Sequence, residues 1–248
     1  MPHKYDDEFM SYADISSKMS ANIIIKLLSS SITVRSVLDI GCAKGTWLKA
    51  WHASGATDIL GVDGHYVIKG NLVIPQVAFQ ARDVATEMDL GQKFDLVQSL
   101  EVAEHIEECN ADIFVGNLVH HSKGYILFSA APPGQGGEHH VNEQPYEYWR
   151  QKFQLKGYEA YDYIRPNVAN NKEVSYWYKF NTILYIHESA AQALPPTVLS
   201  TRVPRDAVIK DFSPFIFRLR KYIVNLLPKS FQNLLAHLKA SYFPSGRV

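Results

Sequence analysis

Val37-Leu38-Asp39-Ile40-Gly41-Cys42-Ala43-Lys44-Gly45-Thr46 decides the fold of this 248-residue chain. An apolar run carries an acid, two glycines four apart follow, and an amphipathic stretch opens at Trp47-Leu48-Lys49-Ala50-Trp51. The pattern predicts a buried strand, a tight turn and a helix start. Glycine at such a turn lets the backbone approach a ligand closely. The spacing departs from Gly-x-Gly-x-x-Gly, because position 43 is Ala and position 46 is Thr. That departure disfavours an NAD-type enzyme.

Working outward, strand signals recur with helical stretches between them. Residues 11–30 read as a helix. Strands are expected at Ser36–Ile40, Asp58–Val62, Val77–Arg82, Phe94–Leu100, Gly124–Ala130, Tyr158–Ile164 and Tyr176–Ile186. Helices are expected from Trp47, over Ala103–Leu118 and over Pro145–Lys156. Strands alternating with helices argue for an α/β fold, a doubly wound, mostly parallel seven-stranded sheet. The last two strands, read as having no helix between them, should pair antiparallel at one edge. The domain reading is a helical segment at 1–35, a sheet domain at 36–190, a linker at 191–204 around Pro195-Pro196, and a basic amphipathic helical tail at 205–248. In that tail, Phe231, Leu234, Leu235 and Leu238 follow helical spacing.

The bulk composition is that of an ordinary globular protein, 46% hydrophobic and 20% charged. Two cysteines, Cys42 and Cys109, are too few for a disulfide framework. The polar start MPHKYDDEF does not read as a signal peptide, and no apolar run suits a membrane span, so a cytoplasmic protein is expected. Net charge is zero, but unevenly distributed: residues 202–248 hold nine Lys/Arg against Asp206 and Asp211, a surplus of +7 balanced by −7 in the rest. An acidic body disfavours nucleic acid. The basic tail, with Arg218, Arg220 and Lys221 among apolar residues, is suited to an anionic membrane surface, to the acidic body, or to another copy.

Asp39, Asp63, Asp83 and Glu101 fall at or just past the ends of four strands. In open parallel sheets ligands bind there, and four acids would crowd one rim. Asp63 follows Gly41 by 22 positions, near the spacing at which an acid holds a ribose. With Gly41, Cys42, Ala43 and Gly45, this set resembles motif I and its companions in class I S-adenosylmethionine (SAM) dependent methyltransferases, over roughly residues 36–190. The resemblance implies SAM as cofactor, Asp39, Gly41, Cys42, Ala43 and Gly45 along its methionine end, Asp63 with Gly64 on the ribose, Asp83 with Val84 at the adenine, and Glu101 nearby.

Glu101, Glu104 and His105 stand at i, i+3 and i+4, one face of a helix, and two carboxylates with an imidazole suit a divalent metal. Glu-x-x-Glu-His resembles a pattern of small-RNA 2′-O-methyltransferases and quinone-pathway O-methyltransferases. There it helps hold a metal, here Mg or Mn, with a later histidine, here His139 or His140, as further ligand. The loop from Ala130 to Gln144 carries three glycines, both histidines and two glutamates. His140, then His139, are the candidate general bases for a hydroxyl acceptor. This loop, with Phe128-Ser129 before it and Tyr148-Trp149 after it, resembles a bacterial methyltransferase subgroup associated with surface-polysaccharide and sugar O-methylation. The expected activity is therefore O-methylation of a small-molecule or glycan hydroxyl. The alternatives are an RNA terminal-ribose 2′-O-methyltransferase and a non-catalytic SAM-fold module that binds a partner through its basic tail.

Overall fold

A computed structural model describes residues 7–228 and Phe231, with side chains from Ser17 onward. Leu234, Leu235 and Leu238 of the amphipathic tail lie outside the described residues. Helix α1 (Asp7–Ser29) leads into β1 (Ser36–Ile40), α2 (Thr46–Ala53), β2 (Asp58–Asp63), β3 (Phe79–Ala81) and β4 (Phe94–Leu100). Then come α3 (Ala111–His120), β5 (Ser122–Ser129), α4 (Tyr146–Gln154), β6 (Tyr158–Tyr161), α5 (Ile164–Val168), α6 (Tyr176–Asn181), β7 (Ile183–His187), α7 (Pro196–Leu199) and α8 (Phe215–Asn225).

The seven strands form one sheet in the order β3-β2-β1-β4-β5-β7-β6. Strands β1 to β5 pair in parallel, while β7 runs antiparallel to both β5 and β6. Strand β1 is buried at all five positions because helices cover both its faces. Alternate residues feed two cores. Val37, Leu96, Leu127 and Leu184 face Ile24, Ile25 and Leu28 of α1 and Trp47, Leu48 and Trp51 of α2. Leu38, Ile40, Val97, Ile126 and Phe128 face Phe114 and Leu118 of α3 and Trp149 and Phe153 of α4. Phe153 is fully buried and stacks on Tyr185 at 4.2 Å between ring centroids. Phe153→Ala is expected to cost about 3–5 kcal/mol, read as a shift of the urea midpoint at unchanged slope.

Three sequence expectations are corrected. First, Tyr176–Asn181 is helix α6 instead of strand, so α5 and α6 both lie between the last two strands. Aromatic residues favour strands, but tertiary contacts override that preference here. Tyr178 packs edge-on against Trp47 at 5.1 Å and its hydroxyl meets Ser17 Oγ at 2.9 Å. Second, Ala103–Leu118 is not one helix: two 3₁₀ turns, Ala103–His105 and Glu108–Asn110, precede α3. Third, residues 191–204 are not a free linker. Leu194 and Val198 are buried, and residues 201–203 extend along β6: Asp162 N–H donates to Thr201 O and Val203 N–H to Ala160 O, both at 2.9 Å. Buried Arg150 ties down the next residues through Pro204 O at 3.1 Å and Ala207 O at 2.8 Å. The edge strand is thereby covered.

Candidate active site

The strand order reverses between β1 and β4, and the loops after β1 to β5 share the carboxyl rim of the sheet. This is where a ligand crevice forms in such sheets. Gly41 and Gly45 both take left-handed backbone, at φ 87° and 84°. A Cβ on Gly41 would lie 2.4 Å from Val102 Cγ2, so both conformation and space demand glycine there. Ala43 (φ 47°), Glu101 (φ 58°) and His139 (φ 58°) are the non-glycine residues with positive φ among the described residues, and all three lie on this rim. Backbone strain of that kind gathers at functional sites.

Asp39 is buried beside Gln98, its β1–β4 register partner, and Gln98 Oε1 is held by Trp51 Nε1–H at 2.8 Å. Burial pushes the Asp39 carboxyl up to about 7, the Gln98 amide draws it down, and the Asp63 charge pushes it up again. Asp63 accepts from Ala43 N–H and Gly64 N–H, each at 2.7 Å, and from the Tyr66 hydroxyl. Burial still holds its pKa above the usual range, against those three donors. The β1 turn is thus tied to the acid at the end of β2. Cys42 is buried within the turn, and burial, then the charges of Asp39 and Asp63, push its thiol well up, so it serves as packing and not as a nucleophile. Asp83 is exposed and accepts from Ala85 N–H at 2.9 Å, which shapes its own turn. Buried Asn117 of α3 supports that turn: its side-chain amide donates to Val84 O (3.2 Å) and Thr86 O (2.8 Å), and its Oδ1 accepts from Met88 N–H (3.0 Å).

The other side of the rim is built from the β4 turn and the 130–145 loop. Glu104 and His105 stand on a 3₁₀ turn, and ligand atoms of Glu104, His105 and His140 all lie within 4.8 Å of one another. Glu101 is not part of this group. Its carboxylate accepts from Gln135 Nε2 at 2.8 Å and from Asn181 Nδ2 at 3.1 Å. The single helical face expected for 101, 104 and 105 is replaced by a kink at Glu101 that turns it toward α6.

Glu104 is 1% exposed, and its Oε2 has no hydrogen-bond partner among the described residues. Burial, then the charge of Glu101, raise its pKa well above the usual range. An orphaned carboxylate oxygen this deep, facing two imidazoles, has the donor set of a cation site. Burial, reinforced by the neighbouring His140, lowers His105 to about 3, so it is a neutral imidazole. Its Nδ1–H donates to the His139 carbonyl at 3.2 Å, which places the lone pair on Nε2. His139 itself is exposed and gives His105 its carbonyl, whereas the sequence offers its ring as a base.

His140 meets Glu143 through Nδ1, 2.7 Å from Oε1. Glu143 also accepts from Gly134 N–H at 2.8 Å and Gly136 N–H at 2.7 Å. Burial pushes the Glu143 carboxyl up, but the His140 hydrogen bond and charge and the two glycine amides outweigh it and hold it below the usual range. Glu143, Gln135, Asn181 and Tyr66 were not anticipated. Only Glu143 left a local sequence signal, three residues after His140 in a loop. A second group, Asp89, His120 and His121, also lies together. Its His121 is spent, since Nδ1–H donates to Asn117 O at 2.7 Å and Nε2 accepts from Leu90 N–H at 3.0 Å.

Known proteins share this fold. The family described as "Methyltransferase domain" matches residues 12–174, and the chain belongs to that family. Its fold is that of the SAM-dependent methyltransferases. A curated relative, the ubiquinone biosynthesis O-methyltransferase of Mesorhizobium japonicum, is 31% identical over 106 residues, 38% of this chain and 39% of the relative. The match therefore spans well under half of that relative's length. Among solved structures, the SAM-bound magnesium protoporphyrin IX methyltransferase of Synechocystis PCC 6803 superimposes with a TM-score of 0.52 at 15% identity, over 75% of this chain and 87% of that one. SAM-bound CalS10, an amino pentose methyltransferase from Micromonospora echinaspora, gives 0.53 at 13% identity, over 75% and 99%. At these identities the structures share the fold.

Proposed function

We propose that this chain transfers a methyl group from SAM to a hydroxyl of a sugar or glycan, with His140 taking the hydroxyl proton. The observation that carries this reading is the Glu143–His140 pair on the acceptor side of the rim. When bound, SAM supplies a methyl group on a positively charged sulfur. Asp39 and the Gly41–Gly45 turn would hold its amino-acid end, and Asp63 its ribose. The chain's own work is alignment and proton removal. Glu143 fixes the imidazole so that Nδ1 carries hydrogen and Nε2 is the base. An alcohol holds its proton near neutral pH, so this base matters more for a hydroxyl than for an amine. The curated O-methyltransferase relative and the amino pentose methyltransferase among the structural neighbours support a hydroxyl and a sugar-type acceptor, respectively.

The orphaned Glu104 Oε2 favours a metal-assisted form of the same reaction. Glu104, His105 and His140 would hold Mg²⁺ or Mn²⁺, and Glu143 would orient the His140 ligand from behind. Such an ion lowers the pKa of a bound hydroxyl.

The test is S-adenosylhomocysteine release from SAM with sugar nucleotides and oligosaccharides, with product methylation located by mass spectrometry. Methyl on a sugar oxygen is the expected result. Methyl on nitrogen, or exclusively on the terminal ribose of RNA, would overturn the acceptor assignment. The metal form predicts that EDTA abolishes turnover and that Glu104→Ala/His105→Ala matches EDTA-treated wild type. Turnover indifferent to EDTA leaves His140 as the base alone.

A further inference from the structure

Helix α8 has two apolar faces, and among the described residues the body uses only one. On the inner face, Phe217 packs against Tyr176 at 5.6 Å and Phe180 at 6.5 Å. Arg220 Nη1 donates to Gln135 O at 3.1 Å, and Lys221 Nζ donates to Asp211. The Lys221 carbonyl lies so close over Gly134 that a Cβ there would come within 1.9 Å of it. On the outer face stand Phe215 (71% exposed), Ile216 (71%), Leu219 (45%), Tyr222 (66%), Ile223 (53%) and Leu226 (67%). At 100° per residue these six fill an arc of about 120°, opposite Phe217, Lys221 and Val224. Arg218 borders the arc on one side and Arg220 on the other. Exposed apolar surface this continuous marks an interaction site.

We infer that the outer face of α8 docks on an anionic phospholipid surface. Charge selects this occupant. Helix α8 carries Arg218, Arg220 and Lys221 and no acid; Lys221 is spent on Asp211, as Arg202 and Arg205 are on Glu159 and Glu188, which leaves Arg218 and Arg220 as the charges at the borders of the arc. Basic residues bordering an apolar arc attract anionic headgroups while the arc sinks into the interface. A two-fold pairing of copies through this face would instead set Arg218 and Arg220 against like charges of the partner. The helix lies on the bilayer and does not cross it: no helix among the described residues is long and apolar enough to span one. Because the inner face holds Gly134 and Gln135, the docked enzyme carries its acceptor loop about one helix diameter, ~10 Å, from the lipid surface.

The test is flotation of the full-length protein with vesicles of phosphatidylcholine alone or with phosphatidylglycerol at about 7:3. The protein is expected to float with the anionic vesicles at low salt, and to stay behind with phosphatidylcholine alone or at high salt. Leu219→Asp/Ile223→Asp and, separately, Arg218→Glu should each lose most of the floated fraction. Arg218 lines a crevice with Glu147 and Asp211 of the body, but neither variant removes a hydrogen bond or ion pair to the body seen among the described residues, so both should bind S-adenosylhomocysteine as wild type does. Wild-type protein that ignores anionic vesicles, or a double variant that floats as well as wild type, would overturn the inference. So would a dimer in light scattering that Leu219→Asp/Ile223→Asp dissolves, without flotation of the wild type.

Discussion

His140→Ala is expected to lower kcat about 10²–10⁴-fold while S-adenosylhomocysteine binds as before. The ring sits on the 130–145 loop, the side of the rim proposed for the acceptor, and its partner Glu143 belongs to the same loop and not to the β1 turn. Losing it should therefore spare the cofactor site. A base role makes one further demand: added imidazole should restore part of the lost rate, which a ring with only a packing role would not allow. Glu143→Gln tests the orienting half. The glutamine oxygen can accept from Nδ1–H and from Gly136 N–H, as Oε1 does, but its amide nitrogen then confronts the Gly134 N–H that Oε2 satisfied. A loss of about 10–100-fold is expected, smaller than for His140→Ala.

Acid should act on the same pair. The folded-state pKa of Glu143 is depressed, so its contribution to loop order is complete above its ordinary unfolded value of 4.5 and is lost only as pH falls through the lower folded value. Loop order in the wild type should thus survive mild acidity, and Glu143→Gln should remove the deeper acid-side change. Tryptophan fluorescence of Trp149, four residues beyond Pro145 and buried, can follow it.

How much of this was legible beforehand varies with the range of the interaction. The β1 turn was legible because its information is local: an apolar run, an acid and two glycines whose φ values require glycine. Five parallel strands were legible for the same reason, each being a short apolar run bounded by turn residues. Glu104, His105 and His140 were readable as a set by chemistry, although a 3₁₀ turn brings them together and not the helix their spacing suggested. What escaped was long-range. Nothing near Asn181 says that its amide will meet Glu101, eighty positions away. The run Tyr176–Asn181 has strand-forming composition, and only packing on Trp47 and Ser17 makes it helical. Likewise Pro195-Pro196 resembles a linker until Val198 is seen buried and residues 201–203 are seen on the sheet edge.

Asp39 gives the second large effect, and its sign separates cofactor binding from folding. Its carboxyl titrates near 7 in the folded protein because it is buried beside Asp63. A cofactor that brings an ammonium group to this rim binds the ionised form. From pH 8 to pH 5.5 the ionised fraction of a group with that pKa falls from about 0.9 to about 0.03, so S-adenosylhomocysteine affinity should weaken about 30-fold over that range. Stability of the free protein should move the other way. A folded pKa above the unfolded value of 3.8 means that the folded state holds the extra proton between about 4 and 7. Stability contributed by that proton is present at the acid end of the window and is lost as pH rises through 7. Asp39→Asn, which stays neutral in the same space, should flatten both slopes, while its affinity at pH 8 falls well below wild type. Calorimetric titration at several pH values, with the melting temperature of the free protein over the same range, reads both. If wild type and Asp39→Asn share one affinity profile across that range, Asp39 is a structural acid and the cofactor's cationic end lies elsewhere on the rim.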